Sequence, residues 1–150
     1  MSAQYIYDAA PLGALIRFSD GAPRPPERHH RKLSDWRSRN NVGRLVRKDP
    51  ETRLGDRLVS ASFLLRLDDI AGVVMVRARY SVASPLCFEI AERPPTGSVR
   101  IIRGEGDEQE LIHLAANGAS AEAWVRAKGY KDARLEVVCD DGAPSEGRAA

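Results

Sequence analysis

The stretch that decides the fold is residues 57–82, which read RLVSASFLLRLDDIAGVVMVRARYSV. Apolar side chains recur at every second position on both sides of the central DDIAG, from Arg57 to Leu67 and from Val73 to Val82. A period of two is typical of half-buried strands, because successive side chains of a strand point to opposite faces. The pattern predicts an antiparallel β-hairpin whose strands are connected by residues 68–72.

Shorter strand patterns flank this hairpin on both sides. Runs of aromatic, β-branched or alternating apolar residues occur at residues 4–8, 14–18, 86–90, 98–103, 108–114 and 134–139. Such runs favour strands, and their short connections exclude parallel neighbours, which need long crossovers. The sequence therefore predicts an α+β fold built on an antiparallel β-meander of six to eight strands.

Two helices complete the predicted fold. An N-terminal basic helix is expected at about 27–41, because Pro26 can precede a first helical turn and Gly43 fits the end. A covering helix is expected at about 119–128, since residues 117–120 offer capping groups and Gly129 suits its C-terminal end. Trp124 lies on the apolar stripe of the second helix and is interpreted as a core residue that covers the sheet.

Composition limits the class of protein. With 150 residues, 43% hydrophobic and 29% charged, the chain is neither fibrous nor wholly disordered. We expect a single domain over residues 1–139 and a flexible polar tail over residues 140–150. No apolar run approaches the ~20 residues of a membrane-spanning helix, and residues 1–8 lack the features of a signal peptide, so a cytoplasmic location is expected. The 19 arginines against 4 lysines, beside 20 alanines, suggest a GC-rich bacterial genome or one of its mobile elements.

The residues suited to catalysis are few. Cys87 and Cys139 form neither a disulfide framework nor a metal pattern, and their apolar surroundings predict two buried, reduced thiols. His29 and His30 are adjacent and point about 100° apart on a helix, so they chelate poorly. His113 could pair with a cysteine, but nothing in its local sequence supports such a pair. We therefore expect no metal and no cofactor. A small enzyme with an unrecognised site is the least favoured hypothesis.

The positive charge of residues 21–60 is the feature that points towards function. This segment holds 11 basic against 5 acidic side chains, although the formal charge of the whole chain is only +2. On a helical wheel, one edge of the first helix is basic, while Leu33 and Trp36 form a narrow stripe that can dock on the body of the protein. Two apolar anchors are few for a helix of this length, so we expect it to be weakly docked or ordered only by a partner. The basic residues are Arg24, Arg28, Arg31, Lys32, Arg37, Arg39, Arg44, Arg47 and Lys48. Arg77 and Arg79, which alternate on one strand face, could extend this surface.

Three interpretations of the basic surface remain open at this stage. Arginine suits phosphate, since its guanidinium group donates bidentate hydrogen bonds and stays charged, so a nucleic-acid-associated, non-enzymatic protein is the first hypothesis. Tyr5 and Tyr7, on one face of a predicted strand, could then stack on bases. The second hypothesis is a protein-interaction or inhibitor module, such as one encoded by a mobile element, that binds an acidic protein. The third is a solvated basic face without a partner. Monomer and homodimer are both compatible with the sequence.

Overall fold

A computed structural model describes residues 2–70 and 73–139. Within these residues the chain forms three α-helices, α1 (Ala3–Ala9), α2 (His30–Arg39) and α3 (Gly118–Lys128). A short 3₁₀ turn spans Gly106–Glu108. The strands are β1 (Leu15–Ser19), β2 (Asn41–Asp49), β3 (Thr52–Leu54), β4 (Arg57–Val59), β5 (Ser62–Ile70), β6 (Val73–Ser81), β7 (Cys87–Glu92), β8 (Val99–Arg103), β9 (Glu110–Ala115) and β10 (Arg134–Val137). None of the described helices is both long enough and apolar enough to cross a membrane.

Strand β2 is the centre of an eight-stranded sheet in which all described pairings are antiparallel. Arg44 pairs with Leu15 of β1 on one edge and with Arg66 of β5 on the other. Further along β2, Arg47 pairs with Glu110 of β9. The sheet continues from β5 to β6, from β1 to β7, and from β9 through β8 to β10. The predicted α+β fold with an antiparallel sheet is confirmed.

The hairpin predicted from residues 57–82 is also present, with different bounds. Strands β5 and β6 pair from Ser62↔Ser81 to Ile70↔Val73, so residues 68–70 belong to a strand and not to the connection. Residues 71–72 lie outside the described part of the chain. The predicted first strand is divided, because β4 pairs with β3 in a separate two-stranded ribbon whose turn contains Gly55 at φ +64°.

In the N-terminal region, one predicted strand is wrong and one strand was not predicted. Residues 4–8 form α1, because the Ser2 hydroxyl caps the helix by accepting from the Tyr5 N–H at 3.2 Å, and Ala3 and Ile6 are fully buried at helical spacing. Tyr5 and Tyr7 therefore do not share a strand face. Strand β2 was not expected, and it places Arg44, Arg47 and Lys48 on the sheet rather than beside the basic helix.

Two of the hydrophobic clusters attach helices α1 and α3 to the sheet. On one side of the sheet, α1 packs with the aromatic group Phe18, Phe63, Tyr80 and Phe88, in which the Phe63 and Phe88 ring centroids are 5.4 Å apart. At the other end, α3 covers β8 and β9, and Ala121 packs with Val99, Ile101 and Ala115. The predicted cap is present, since the Asn117 side chain accepts from the Ser120 N–H at 2.8 Å, and Gly129 ends α3 at φ +77°. The predicted tail at 140–150 lies outside the described residues.

Candidate nucleic-acid interface

Helix α2 is docked by the two apolar residues that the sequence indicated. Leu33 is buried, with 7% of its surface exposed, and Trp36 is half-buried. The indole N–H of Trp36 donates to the carbonyl oxygen of Ala22 at 2.8 Å. This contact fixes α2 against the loop that follows β1, so the remaining faces of the helix are left to solvent.

The C-terminal end of α2 is held by a polar network that sequence reasoning missed. The Asn40 amide donates to the Trp36 carbonyl at 2.8 Å and to Asp20 Oδ1 at 3.0 Å. Arg39 Nε donates to Asp20 Oδ2 at 2.9 Å. The backbone N–H of Ala22, followed by the Asn40 and Arg39 side chains, lowers the pKa of Asp20 to about 2. The only sequence signal for this network was the Asp20–Gly21 turn. Arg39 is thereby a positioning residue for the helix.

The N-terminal end of α2 is arranged differently. The N-cap residue, His29, makes no side-chain capping hydrogen bond, and the first turn contains no acidic residue. Helix N-termini carry partial positive charge and favour anions. The N-terminal end of α2 is flanked by basic side chains instead, namely Arg28, Arg31 and Lys32. This end of α2 concentrates positive charge without an internal counter-charge.

The predicted basic residues around α2 divide into paired and unpaired groups. Arg24 pairs with Glu27 at 3.3 Å, and Arg39 pairs with Asp20. Four exposed cations make no ion pair within residues 2–70 and 73–139, and together they are called the α2 basic surface: Arg28, Arg31, Lys32 and Arg37. Arg28 precedes the helix, whose first residue is His30 and not the expected Glu27.

The basic residues on β2 are occupied within the fold. Arg44 Nη1 donates to the Gly13 carbonyl at 2.6 Å, and Arg47 Nε lies 2.7 Å from Asp49. Lys48 Nζ lies 5.8 Å from the centre of the Tyr7 ring. Burial lowers the pKa of Lys48, although Asp8 acts in the opposite direction. These three side chains stabilise the sheet and do not join the α2 basic surface.

Arg77 and Arg79 on β6 also have internal partners. Arg77 pairs with Glu110, and Arg79 pairs with Asp49 and donates to the Ser62 hydroxyl at 3.0 Å. Burial raises the pKa of Asp49, but hydrogen bonds from Arg79 and Arg47 outweigh it and the net pKa is lowered. The structure thus places Arg77 and Arg79 in a network with β2 and β9, half-exposed but charge-balanced.

A cleft of about 460 Å³ lies beside this network. Its lining mixes positive, negative and aromatic side chains, including Arg77, Arg103, Glu110, Tyr130 and Asp132. Arg103 pairs with Asp132 at 3.1 Å and lies 4.9 Å from the centre of the Tyr130 ring. Neither His113 nor a cysteine is among the lining residues. In the described part of the chain, no group of three or more His, Cys, Asp or Glu side chains is placed to hold a metal ion.

The prediction that both cysteine side chains are buried is wrong. Cys87 and Cys139 are both exposed rather than buried. Cys87 opens β7 directly before the buried Phe88, so the alternation of the strand turns its side chain away from the core. Cys139 lies two residues after Val137, the last residue of β10.

Fold and surface together define a small α+β protein that displays a basic helix beside an antiparallel sheet. The chain belongs to the family described as "Uncharacterised conserved protein UCP036055", whose model matches residues 1–142. No curated protein and no solved structure matches the chain.

Proposed function

We propose that the protein is a non-enzymatic binding protein that contacts the phosphate backbone of nucleic acid through the α2 basic surface. The observation that carries this proposal is the set of four exposed cations without an internal partner. Most other predicted basic residues have a carboxylate, a carbonyl oxygen or an aromatic ring as partner. The arginines of β2 and β6 are therefore engaged within the fold, whereas the four cations of the α2 basic surface are not.

The helix itself supports an anionic ligand. Positive side chains near a helix N-terminus oppose the macrodipole, and each such charge is unfavourable by about 0.3–1 kcal/mol at low salt. Phosphate oxygens at the uncapped first turn would relieve this repulsion and accept its free N–H groups. Three of the four cations are arginines, whose planar donors match phosphate geometry.

Duplex nucleic acid fits this surface better than a single acidic side chain would. Its phosphates form a regular array, so several exposed cations can be neutralised at once, with release of counterions. Contacts of this type position a protein without reading bases. We therefore expect weak sequence preference and strong dependence on salt.

The test is a fluorescence anisotropy titration of labelled duplex DNA and RNA at low salt. The variant replaces Arg28, Arg31 and Lys32 by Ala, and the matched control replaces Arg93, Arg126 and Lys131, which are also exposed, by Ala. Both variants lower the formal charge by three. We expect the first variant to lose most of the affinity and the control to keep most of it.

Two outcomes contradict the proposal. If the wild-type protein binds neither duplex at low salt, a nucleic-acid role is excluded. If both variants lose affinity equally, binding reflects net charge and not α2. A protein partner that is retained by the wild type and lost by the α2 variant would instead support the acidic-protein hypothesis, because the same guanidinium groups can pair with carboxylates.

A further inference from the structure

The outer edge of β10 carries apolar side chains that the fold leaves exposed. Among the described residues, β10 pairs only with β8. Leu135 and Val137 are 40% and 60% exposed. They stand opposite Ile101 and Val99, which lie beneath α3. An edge strand that presents apolar side chains and free backbone groups is a template for another strand.

The backbone of β10 shows which groups face outward. Val138 donates its N–H to the Ser98 carbonyl at 2.8 Å and accepts from the Gly97 N–H at 2.9 Å. Both polar groups of Val138 thus face β8. Because these groups alternate in direction along an antiparallel strand, the N–H and C=O of Leu135 and Val137 face away from β8. The Val137 carbonyl accepts from the Cys139 thiol at 3.9 Å, and the other three groups are available to a partner.

In one of its two-fold registers, β10 pairs opposite charges with a second copy of itself. Opposite residues of an antiparallel pair share a face, so a two-fold axis perpendicular to the sheet must pass midway between one residue of β10 and the same residue of the second copy. An axis at Arg134 would set two arginines against each other, and an axis at Glu136 would set two glutamates against each other. An axis at Val137 sets valine against valine and places Glu136 opposite Val138, without an opposite-charge pair. Only an axis at Leu135 sets leucine against leucine and also places Arg134 opposite Glu136 of the second copy on both sides of the axis.

We infer that the chain forms a two-fold homodimer in which β10 pairs with β10 of a second copy about Leu135. The two sheets then join into one, and Leu135 and Val137 are removed from water beside α3. Like-charge pairs directly across strands are destabilising while opposite-charge pairs are favourable, which selects this register. Arg134 already donates to the Gly104 carbonyl at 2.9 Å and Glu136 lies 3.4 Å from Arg100. These contacts hold both side chains on the face opposite Leu135. The dimer does not depend on the proposed nucleic-acid role.

Cysteine cross-linking tests the register. In a background with Cys87→Ser and Cys139→Ser, the changes Arg134→Cys, Leu135→Cys and Glu136→Cys are made one at a time. Hydrogen-bonded antiparallel residues have Cα atoms about 5.5 Å apart, which suits a disulfide. We expect mild oxidation to give a covalent dimer with Leu135→Cys and much less with the other two. Preferential cross-linking at 134 or 136 would overturn the register, and no cross-linking at any position would overturn the interface.

Light scattering at increasing concentration tests the dimer without cross-links. The wild type is expected to approach twice the monomer mass. Leu135→Lys places two like charges across the axis and should give a monomer, with circular dichroism confirming that it is folded. The matched control is Leu58→Lys on the β3–β4 ribbon, where Leu58 is 57% exposed, and this variant should remain a dimer. A wild-type monomer at every concentration, or a dimer lost only in Leu58→Lys, would overturn the proposal.

Discussion

The imidazole ring of His113 and the indole ring of Trp124 lie parallel, with centroids 4.6 Å apart and an angle of 1° between their planes. Tyr130 also stacks on the indole, at 5.6 Å and 14°. His113 belongs to β9 and Trp124 to α3, so the stack attaches the covering helix to the sheet. The indole is occupied by intramolecular partners, which agrees with its predicted core role, although Trp124 is only half-buried.

The stack predicts a measurable coupling between the two residues. Trp124→Ala should lower the free energy of unfolding by less than the ~3–5 kcal/mol typical of a fully buried tryptophan. A double-mutant cycle with His113→Ala should give a coupling of about 1 kcal/mol, as expected for a stacked aromatic pair. Urea unfolding of the four proteins provides the measurement. Additive effects would show that the rings pack independently.

The same pair predicts a dependence of stability on pH. Burial, followed by the charges of Arg66, Lys128 and Arg44, lowers the pKa of His113 from its ordinary value of 6.5. As the pH falls below 6.5, the unfolded chain binds a proton at His113 before the folded chain does. The free energy of unfolding therefore falls until the folded-state pKa is passed.

Replacing His113 by Gln should remove this part of the acid destabilisation. Urea midpoints at pH 7.5 and pH 5.5 should differ less in His113→Gln than in the wild type. His30→Gln, which changes an exposed histidine on α2, serves as the matched control. If both variants change the pH dependence equally, the packed imidazole is not its source.

The sequence predicted those elements whose signals are local. Period-two alternation identified β5 and β6, and capping residues together with Gly129 identified α3. Strand β2 escaped because Leu45 and Val46 are both buried at a bulge, which breaks the alternation. Helix α1 escaped because its short aromatic run favours a strand locally, whereas the buried Ala3 and Ile6 fix it as a helix in the fold.

The candidate site could be predicted only in part, for a related reason. Charge composition and the Leu33–Trp36 stripe were sufficient to identify a basic helix and its two anchoring residues. Which cations are neutralised depends on pairs that are distant in sequence, such as Arg79 with Asp49 and Arg77 with Glu110. Only the antiparallel arrangement of β2, β6 and β9 brings these side chains together.

Strand β2 also predicts a strict requirement for glycine at position 43. A Cβ atom there would lie 2.9 Å from Leu65 Cβ and closer still to Leu67 Cδ2. Overpacking of this kind typically costs about 1–3 kcal/mol, so Gly43→Ala should lower the thermal midpoint. Gly118→Ala is the control, because nothing lies within 4 Å of its added Cβ. Equal midpoints for the two variants would contradict the close approach of β2 and β5.

The exposed cysteines predict rapid chemical modification. Both Cys87 and Cys139 should react with a thiol reagent in the native protein almost as fast as in the urea-unfolded chain, since accessibility and thiolate fraction set the rate. Cys87→Ser and Cys139→Ser assign each phase of the reaction. A thiol that reacts only after unfolding would be buried and would contradict the described surface.

The salt dependence of binding measures how many phosphates the α2 basic surface touches. On duplex DNA, the logarithm of the association constant falls with the logarithm of salt concentration by roughly 0.9 per neutralised phosphate. Replacing Arg28, Arg31 and Lys32 by Ala should therefore reduce the slope by nearly three if each contacts a phosphate. Arg39 is left unchanged because Asp20 already pairs with it.

Trp36→Ala removes the hydrogen bond to Ala22 and should weaken binding by undocking α2, with a smaller change in slope because the cations remain. A triple variant that binds with the wild-type slope would show that these three cations do not contact phosphate.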